Sequence, residues 1–160
     1  MKRYLAFALF LMIVMAGCSD KNVVPEVGDF SFDLPDGYSI ANVADKNCSI
    51  IRADDGAVAG GIEVTALGLK DVTGSKTDNI MLYLQKDFHM TYNVEYIATH
   101  WGDENKIVSV NLKKYTDGGQ EELYTHIFFQ KDSGVYHIWL NKDVAGSEAE
   151  SQFMAITGVD

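Results

Sequence analysis

Proline is scarce in this chain of 160 residues, at 2, and cysteine matches it at 2, so Cys-rich, collagen-like and low-complexity classes are excluded. Positive charge is short as well: 13 Lys and Arg stand against 23 Asp and Glu, a net charge of −10. Such a surface repels phosphate backbones and releases no counterions on meeting them, which argues against nucleic acid as a partner. Long apolar runs are absent after Met15, and a polytopic membrane protein would need several. What is present, 47% hydrophobic and 22% charged residues, is the composition of one ordered domain able to bury a core.

The first segment differs in kind. Lys2 and Arg3 give it a positive start, Tyr4 to Met15 is an unbroken apolar run too short for a comfortable membrane span, and Ala16 and Gly17 close it with small side chains. This is the order of a secretory signal. Cys18 follows at once, and Val14-Met15-Ala16-Gly17-Cys18 resembles the lipobox of bacterial lipoproteins, usually Leu-Ala-Gly-Cys, with Met15 in the place of Leu. The resemblance implies that the signal, residues 1–17, is cleaved before Cys18. It also implies that Cys18 is the lipidation site, acylated with chains such as palmitate, and that the protein is anchored on the extracytoplasmic side of a bacterial membrane. Two or more acyl chains anchor stably where one alone is marginal. Loss of Lys2 and Arg3 leaves 11 basic against 23 acidic residues, a net −12. With Cys18 acylated, Cys48 is the one thiol left and no internal disulfide can form. In the β-like run Asn47-Cys48-Ser49-Ile50-Ile51, with no His near in sequence, Cys48 reads as a small buried hydrophobe.

Residues 18–27 read as the lipidated Cys and a short polar tether, and residues 28–160 as a single α+β domain. Phe30-Ser31-Phe32-Asp33-Leu34 alternates with period two into the turn Pro35-Asp36-Gly37. Residues 38–43, 49–53 and 57–67 continue as strands, with Asp54-Asp55-Gly56 turning between the last two. Gly60-Gly61 signals a bulge or a close backbone approach. After Gly74 the period becomes helical: Ser75 and Asp78 have capping-box spacing, and Ile80, Met81, Leu84 and Phe88 share a face, giving a helix over residues 76–89. Ser147 and Glu150 repeat the capping pair before a closing helix whose apolar stripe is Ala149, Phe153 and Ile156.

Between the helices, Gly102-Asp103-Glu104-Asn105, Thr116-Asp117-Gly118-Gly119 and Lys131-Asp132-Ser133-Gly134 mark three hairpin turns of a four-strand meander. Four-residue loops pair Trp101 with Lys106, Tyr115 with Gln120 and Gln130 with Val135. Counting back sets Val108 beside Ile127, Ile127 beside Ile138, Leu112 beside Leu123 and Phe129 beside Tyr136, an apolar face joined by Ile97, Val110 and Leu140. The other face then holds Tyr96, Asn111, Tyr124 and Asn141 in one row, Ala98, Ser109, His126 and Trp139 in the next, and His100, Ile107, Phe128 and His137 in a third. Aromatic rings with polar tips beside amides and imidazoles suit a binding surface, so Tyr96, Ser109, Asn111, Tyr124, His126, His137 and Trp139 form the candidate binding face. A second, partly covered core layer would use the same residue types.

Phe30-Ser31-Phe32-Asp33-Leu34-Pro35-Asp36-Gly37-Tyr38 is similar to the opening Phe-x-hydrophobic-Pro-x-Gly-aromatic strand and turn of PsbP/Mog1-like domains, with Tyr38 where Trp is frequent. The order of early strands, mid-chain helix, meander ending in Gly134-Val135-Tyr136-His137-Ile138-Trp139-Leu140 and C-terminal helix resembles the same family over nearly all of the mature chain. The resemblance implies an α+β fold built as an α-β-α sandwich. It also implies a non-catalytic assembly or binding factor whose partner is an envelope protein or a small ligand, and it supplies no catalytic residue.

The sequence contains no Gly-x-Ser-x-Gly, no Gly-rich phosphate loop with Lys, no His-Glu-x-x-His and no Cys-x-x-Cys. An enzyme built on this chain would have to use His126 with Ser109 or Tyr124. His126 and His137 come close as a diagonal cross-strand pair, yet zinc takes three or four ligands and no carboxylate or thiol stands beside them in these rows. The turns at Asp54-Asp55-Gly56 and Asp103-Glu104 lack the alternating oxygens of a calcium loop. Neither a metal nor a cofactor is expected.

Overall fold

The period-two runs fold into strands and the helical-period runs into helices, in a computed structural model that describes residues 25–67, 77–86, 94–101, 107–115, 119 and 121–159. Among these residues the strands are β1 (Glu26–Val27), β2 (Phe30–Ser31), β3 (Tyr38–Ala44), β4 (Asn47–Arg52), β5 (Val58–Val64), β6 (Val94–Trp101), β7 (Ile107–Tyr115), β8 (Glu121–Lys131) and β9 (Gly134–Asn141). The helices are α1 (Thr77–Lys86), α2 (Lys142–Ala145) and α3 (Ala149–Ile156). β1 and β2 pair with each other, and the other strands form one 7-stranded sheet in the order β3-β4-β5-β9-β8-β7-β6. Every pairing in it is antiparallel.

The sheet is covered on both sides. Ile50, Ile62, Ile127, Phe129, Ile138 and Leu140 point to one side and pack with Phe30 of β2 and Ala149 and Phe153 of α3. Val108, Val110, Leu112 and Phe128 point to the other and pack with Ile80, Tyr83 and Leu84 of α1. Burying an aliphatic or Phe side chain contributes about 1.5–3 kcal/mol, so each helix is held chiefly by its apolar stripe. The α+β class, with an antiparallel sheet and a main helix on each face, is the one expected from the sequence.

Several local expectations are corrected. Glu26 and Val27, placed in the tether, form β1, and Val27 is buried in the core. Phe30-Ser31 is the paired part of the opening run, since Phe32 to Leu34 form no ladder. Helix α3 is capped by Glu148, which makes no side-chain capping bond, and not by Ser147; its Glu150 bonds to the sheet instead. Helix α2 was not expected; the Asn141 side chain accepts from the Asp143 backbone N–H and starts it. For α1, Ile80 and Leu84 are buried as expected, while Ser75, Phe88 and His89 lie outside the described residues. Between β4 and β5 the register shifts beside Gly60, as the glycine pair signals. A Cβ on Gly60 would meet the Trp139 carbonyl oxygen at 2.1 Å, so the strand backbones approach there too closely for a side chain.

The three hairpins of the meander fare differently. β8 and β9 pair as expected, with Gln130 opposite Val135, Ile127 opposite Ile138 and His126 opposite Trp139. Their turn is the dipeptide Asp132-Ser133, with Asp132 at φ 51°. β7 and β8 are slipped by one residue: Tyr115 pairs with Glu121, Ser109 with Ile127, Val110 with His126 and Leu112 with Tyr124. β6 and β7 pair Trp101 with Val108, His100 with Ser109 and Ala98 with Asn111, then shift at Ile97 so that Tyr96 sits opposite Leu112.

Candidate functional site

A slip of one residue in an antiparallel ladder turns one strand over relative to the other. The face expected to gather seven candidates is therefore divided. Ser109 and Asn111 belong to the side under α3, in rows with Ile127 and Thr125. Tyr124, His126, His137 and Trp139 belong to the side under α1, in rows with Leu112, Val110, Glu63 and Gly61. Tyr96 shares the Leu112 row and not that of Asn111. Its side chain lies outside the described residues, as does Cys18.

Under α3, Glu150 acts as an acceptor for the sheet. The Ser109 hydroxyl donates to it at 2.5 Å and the Asn111 amide nitrogen to both its oxygens at 3.2 Å. The Thr125 hydroxyl donates to the Asn111 carbonyl oxygen at 2.6 Å, which fixes the amide orientation. Lys142 of α2 stands 3.6 Å from the Glu150 carboxylate. Ser109 and Thr125 are fully buried and the Glu150 side chain is 17% exposed, so this cluster clamps the first turn of α3 to the sheet with little access for a ligand. Charge-assisted bonds of this kind are the stronger ones among protein hydrogen bonds.

Under α1, a second polar cluster runs through the interior as a chain. The Tyr83 hydroxyl donates to Glu63 at 2.6 Å, His137 Nδ1 lies 2.8 Å from the same carboxylate oxygen, and His137 Nε2 lies 2.9 Å from His126 Nδ1. A carboxylate only accepts, so His137 donates through Nδ1, and its neutral Nε2 accepts from Nδ1 of His126. The diagonal histidine pair expected from sequence is thus present, with both rings fully buried. Burial holds both imidazoles below the ordinary histidine range; the neighbouring Glu63 offsets this in part for His137, while His137 adds to it for His126, which lies well below. Burial pushes the Glu63 carboxyl up, but the bonds from His137 and Tyr83 outweigh it and leave it low.

The half-buried members of this side are Tyr124 and Trp139, with ring centroids 6.4 Å apart. The Trp139 indole lies over Gly61, where a Cβ would meet its Nε1 at 2.6 Å. The Tyr124 hydroxyl donates to Glu122 at 3.0 Å, and burial together with that carboxylate pushes the phenol up to about 12, the opposite of an activated nucleophile. His126 stacks on Tyr124 at 6.1 Å and lies across the sheet from Ser109, so neither enzyme pairing forms a nucleophile and base. Cys48 is buried, and burial pushes its thiol up.

Glu63 and Glu150 organise the two clusters, and sequence reasoning assigned neither to a site. Glu63 carried a signal, a lone charge between Ile62 and Val64 in a strand covered on both sides. Glu150 carried one that pointed elsewhere, to a capping box. Among the described residues no group of three or more His, Cys, Asp or Glu is arranged to hold a metal ion. A cleft of about 670 Å3, with Glu26, Asp29 and Asp45 at its rim and Val64 and Tyr136 among its walls, opens where the β1–β2, β3–β4 and β8–β9 turns meet; no expected site residue lines it.

The sheet order, the two covering helices and the internal polar clusters define an α+β sandwich protein. No family model matches the chain, and no curated protein does. Among solved structures it is similar to the Ran-binding protein Mog1p of Saccharomyces cerevisiae, at 16% identity over 76% of this chain and 77% of that one, with a TM-score of 0.47. A mutant of the protein Mog1 is similar at 15% identity over 76% of this chain and 78% of that one, with a TM-score of 0.47. Likeness at this level transfers no function.

Proposed function

We propose that this chain is a lipid-anchored, non-catalytic binding or accessory module on the extracytoplasmic side of a bacterial membrane. The observation that carries the reading is the leader: the positive pair Lys2-Arg3, the short apolar run and Ala16-Gly17-Cys18. Support for a non-catalytic role comes from the burial of the reactive side chains, which leaves His126 and Ser109 on opposite sides of the sheet. The partner is an envelope protein or a small neutral or cationic ligand, since a net charge of −12 disfavours polyanions. Among the candidate residues whose side chains are described, Tyr124 and Trp139 are the half-exposed pair on one side, and they are where a ligand would touch the sheet.

The test is metabolic labelling with a palmitate analogue in a bacterial host, followed by membrane fractionation. The wild-type chain takes up label and sediments with membranes. Cys18→Ala takes up none and appears as unprocessed precursor or released protein. Undiminished labelling of Cys18→Ala overturns the anchor. Ser19 after the acylated Cys leaves an outer-membrane destination open in a two-membrane cell, and the fraction that carries the label decides it.

A further inference from the structure

The chain Tyr83, Glu63, His137 and His126 joins α1 to three strands of the sheet, β5, β9 and β8, through bonds of 2.6, 2.8 and 2.9 Å. It contains two fully buried imidazoles in direct contact, their ring centroids 5.1 Å apart, and the Glu63 side chain between Tyr83 and His137 is 28% exposed. We propose that this chain is a proton-operated latch, which holds α1 on the sheet near neutral pH and loosens it on acidification.

The hydrogen-bond inventory explains why it responds to protons. With both imidazoles neutral, each ring nitrogen that faces a partner has a matching role: Glu63 accepts from His137, and His137 accepts from His126. A first added proton sits on His137 Nε2, pairs His137 with Glu63 as an ion pair and forces Nδ1 of His126 to become an acceptor. A second finds no place, because two imidazoliums would aim N–H groups at each other across 2.9 Å. Protonation of Glu63 removes the negative charge that strengthens the bonds from Tyr83 and His137 and so weakens the helix end of the chain.

Glu63 is the described carboxylate in direct contact with the imidazole pair, 2.8 Å from His137. Among the described side chains, the titratable groups facing the imidazoles are Tyr83 from α1, Glu63 from β5, and Tyr124 with its partner Glu122 from β8. β7 presents Val110 and Val108 to His126 and Phe128, β9 presents Trp139 beside His126, and β4 presents Asn47 opposite Glu63; none of these titrates. Burial keeps both histidines below the ordinary value of about 6.5, so a state with α1 undocked binds more protons than the docked state as pH falls below it. Docking is therefore firm above about pH 6.5 and weakens progressively below it, with the low-lying Glu63 carboxyl adding to the loss at more acidic pH. Release of α1 uncovers Val108, Val110, Leu112 and Phe128, which are buried while the latch is closed.

Residue-resolved amide hydrogen exchange of the full chain in detergent micelles, corrected for intrinsic rates and taken from about pH 7.5 to about pH 5, tests this. The expected result is an opening constant for α1 that rises up to about tenfold per pH unit for each proton taken up, while β5, β8 and β9 keep their protection. His126→Phe, a ring that does not titrate, should flatten that rise. Tyr83→Phe, which keeps the ring and removes the helix anchor, should raise α1 opening already at neutral pH. The latch is overturned if α1 protection does not depend on pH, if α1 and the sheet lose protection together, or if Tyr83→Phe and wild type share one profile.

Discussion

Both sides of the sheet carry buried polar side chains but organise them on different principles. Under α3, a single carboxylate, Glu150, gathers the Ser109 hydroxyl and the Asn111 amide, two uncharged donors. Under α1, the Glu63 carboxylate begins a chain that continues through two imidazoles, whose protonation falls in the physiological range unless the environment moves it. The first arrangement is a clamp whose strength is set by satisfied donors; the second is a connection whose strength depends on where protons sit. The contrast shows that a polar residue inside a covered strand does not by itself mark a binding surface. Its meaning depends on which charged residue the opposite layer brings to it.

The largest effect is expected at the centre of the clamped side. Ile127→Asp places a carboxylate between Ser109 and Ile138, in an apolar core and close to the Ser109–Glu150 bond, whose carboxylate would repel it. Its cost, several kcal/mol against a total stability of roughly 5–15, should unfold the domain, as read by circular dichroism or urea melting. A soluble variant that still melts cooperatively at the wild-type midpoint would mean that Ile127 does not face the core. A smaller effect is expected from the clamp itself. Glu150→Ala strands the Ser109 and Asn111 donors and should cost about 2–4 kcal/mol in urea unfolding, with Glu150→Gln losing roughly half of that because one acceptor oxygen remains. Were Glu150→Ala as mild as an ordinary surface substitution, within about 0.5 kcal/mol, the two sides would not differ as described.

The layer order is legible in the sequence and the register of the middle of the sheet is not, for a physical reason. β8 and β9 were legible because the turn between them is short and because Ile127, Phe129, Tyr136, Ile138 and Leu140 must share one apolar side. β7 offered no such constraint. Its apolar set, Val108, Val110 and Leu112, can join the Ile127 side or the His126 side with equal ease, since a helix covers each. Hydrophobic alternation fixes register where one face meets water, and loses that power in a sheet covered on both faces. Loop length then decides: Tyr115 pairs with Glu121, so the loop has five residues, 116–120, and not the four that the turn signal suggested. Tyr96 was misplaced for a related reason, the extra residue Ile97 in β6, which no side-chain pattern announces. The candidate site inherited both errors. His126, His137, Tyr124 and Trp139 were grouped correctly because they lie on the β8–β9 hairpin, while Ser109 and Asn111 were carried to the wrong side by one residue of slip.

This slip divides the polar side chains between two covered faces, and backbone cross-strand NOEs between β7 and β8 test that division most directly. Short contacts should connect Ser109 with Ile127, Asn111 with Thr125 and Ile107 with Phe129. Contacts that instead connect Ser109 with His126, Asn111 with Tyr124 and Val108 with Ile127 would return all these side chains to one face. They would contradict both the Glu150 clamp and the separation of Ser109 from the histidine chain.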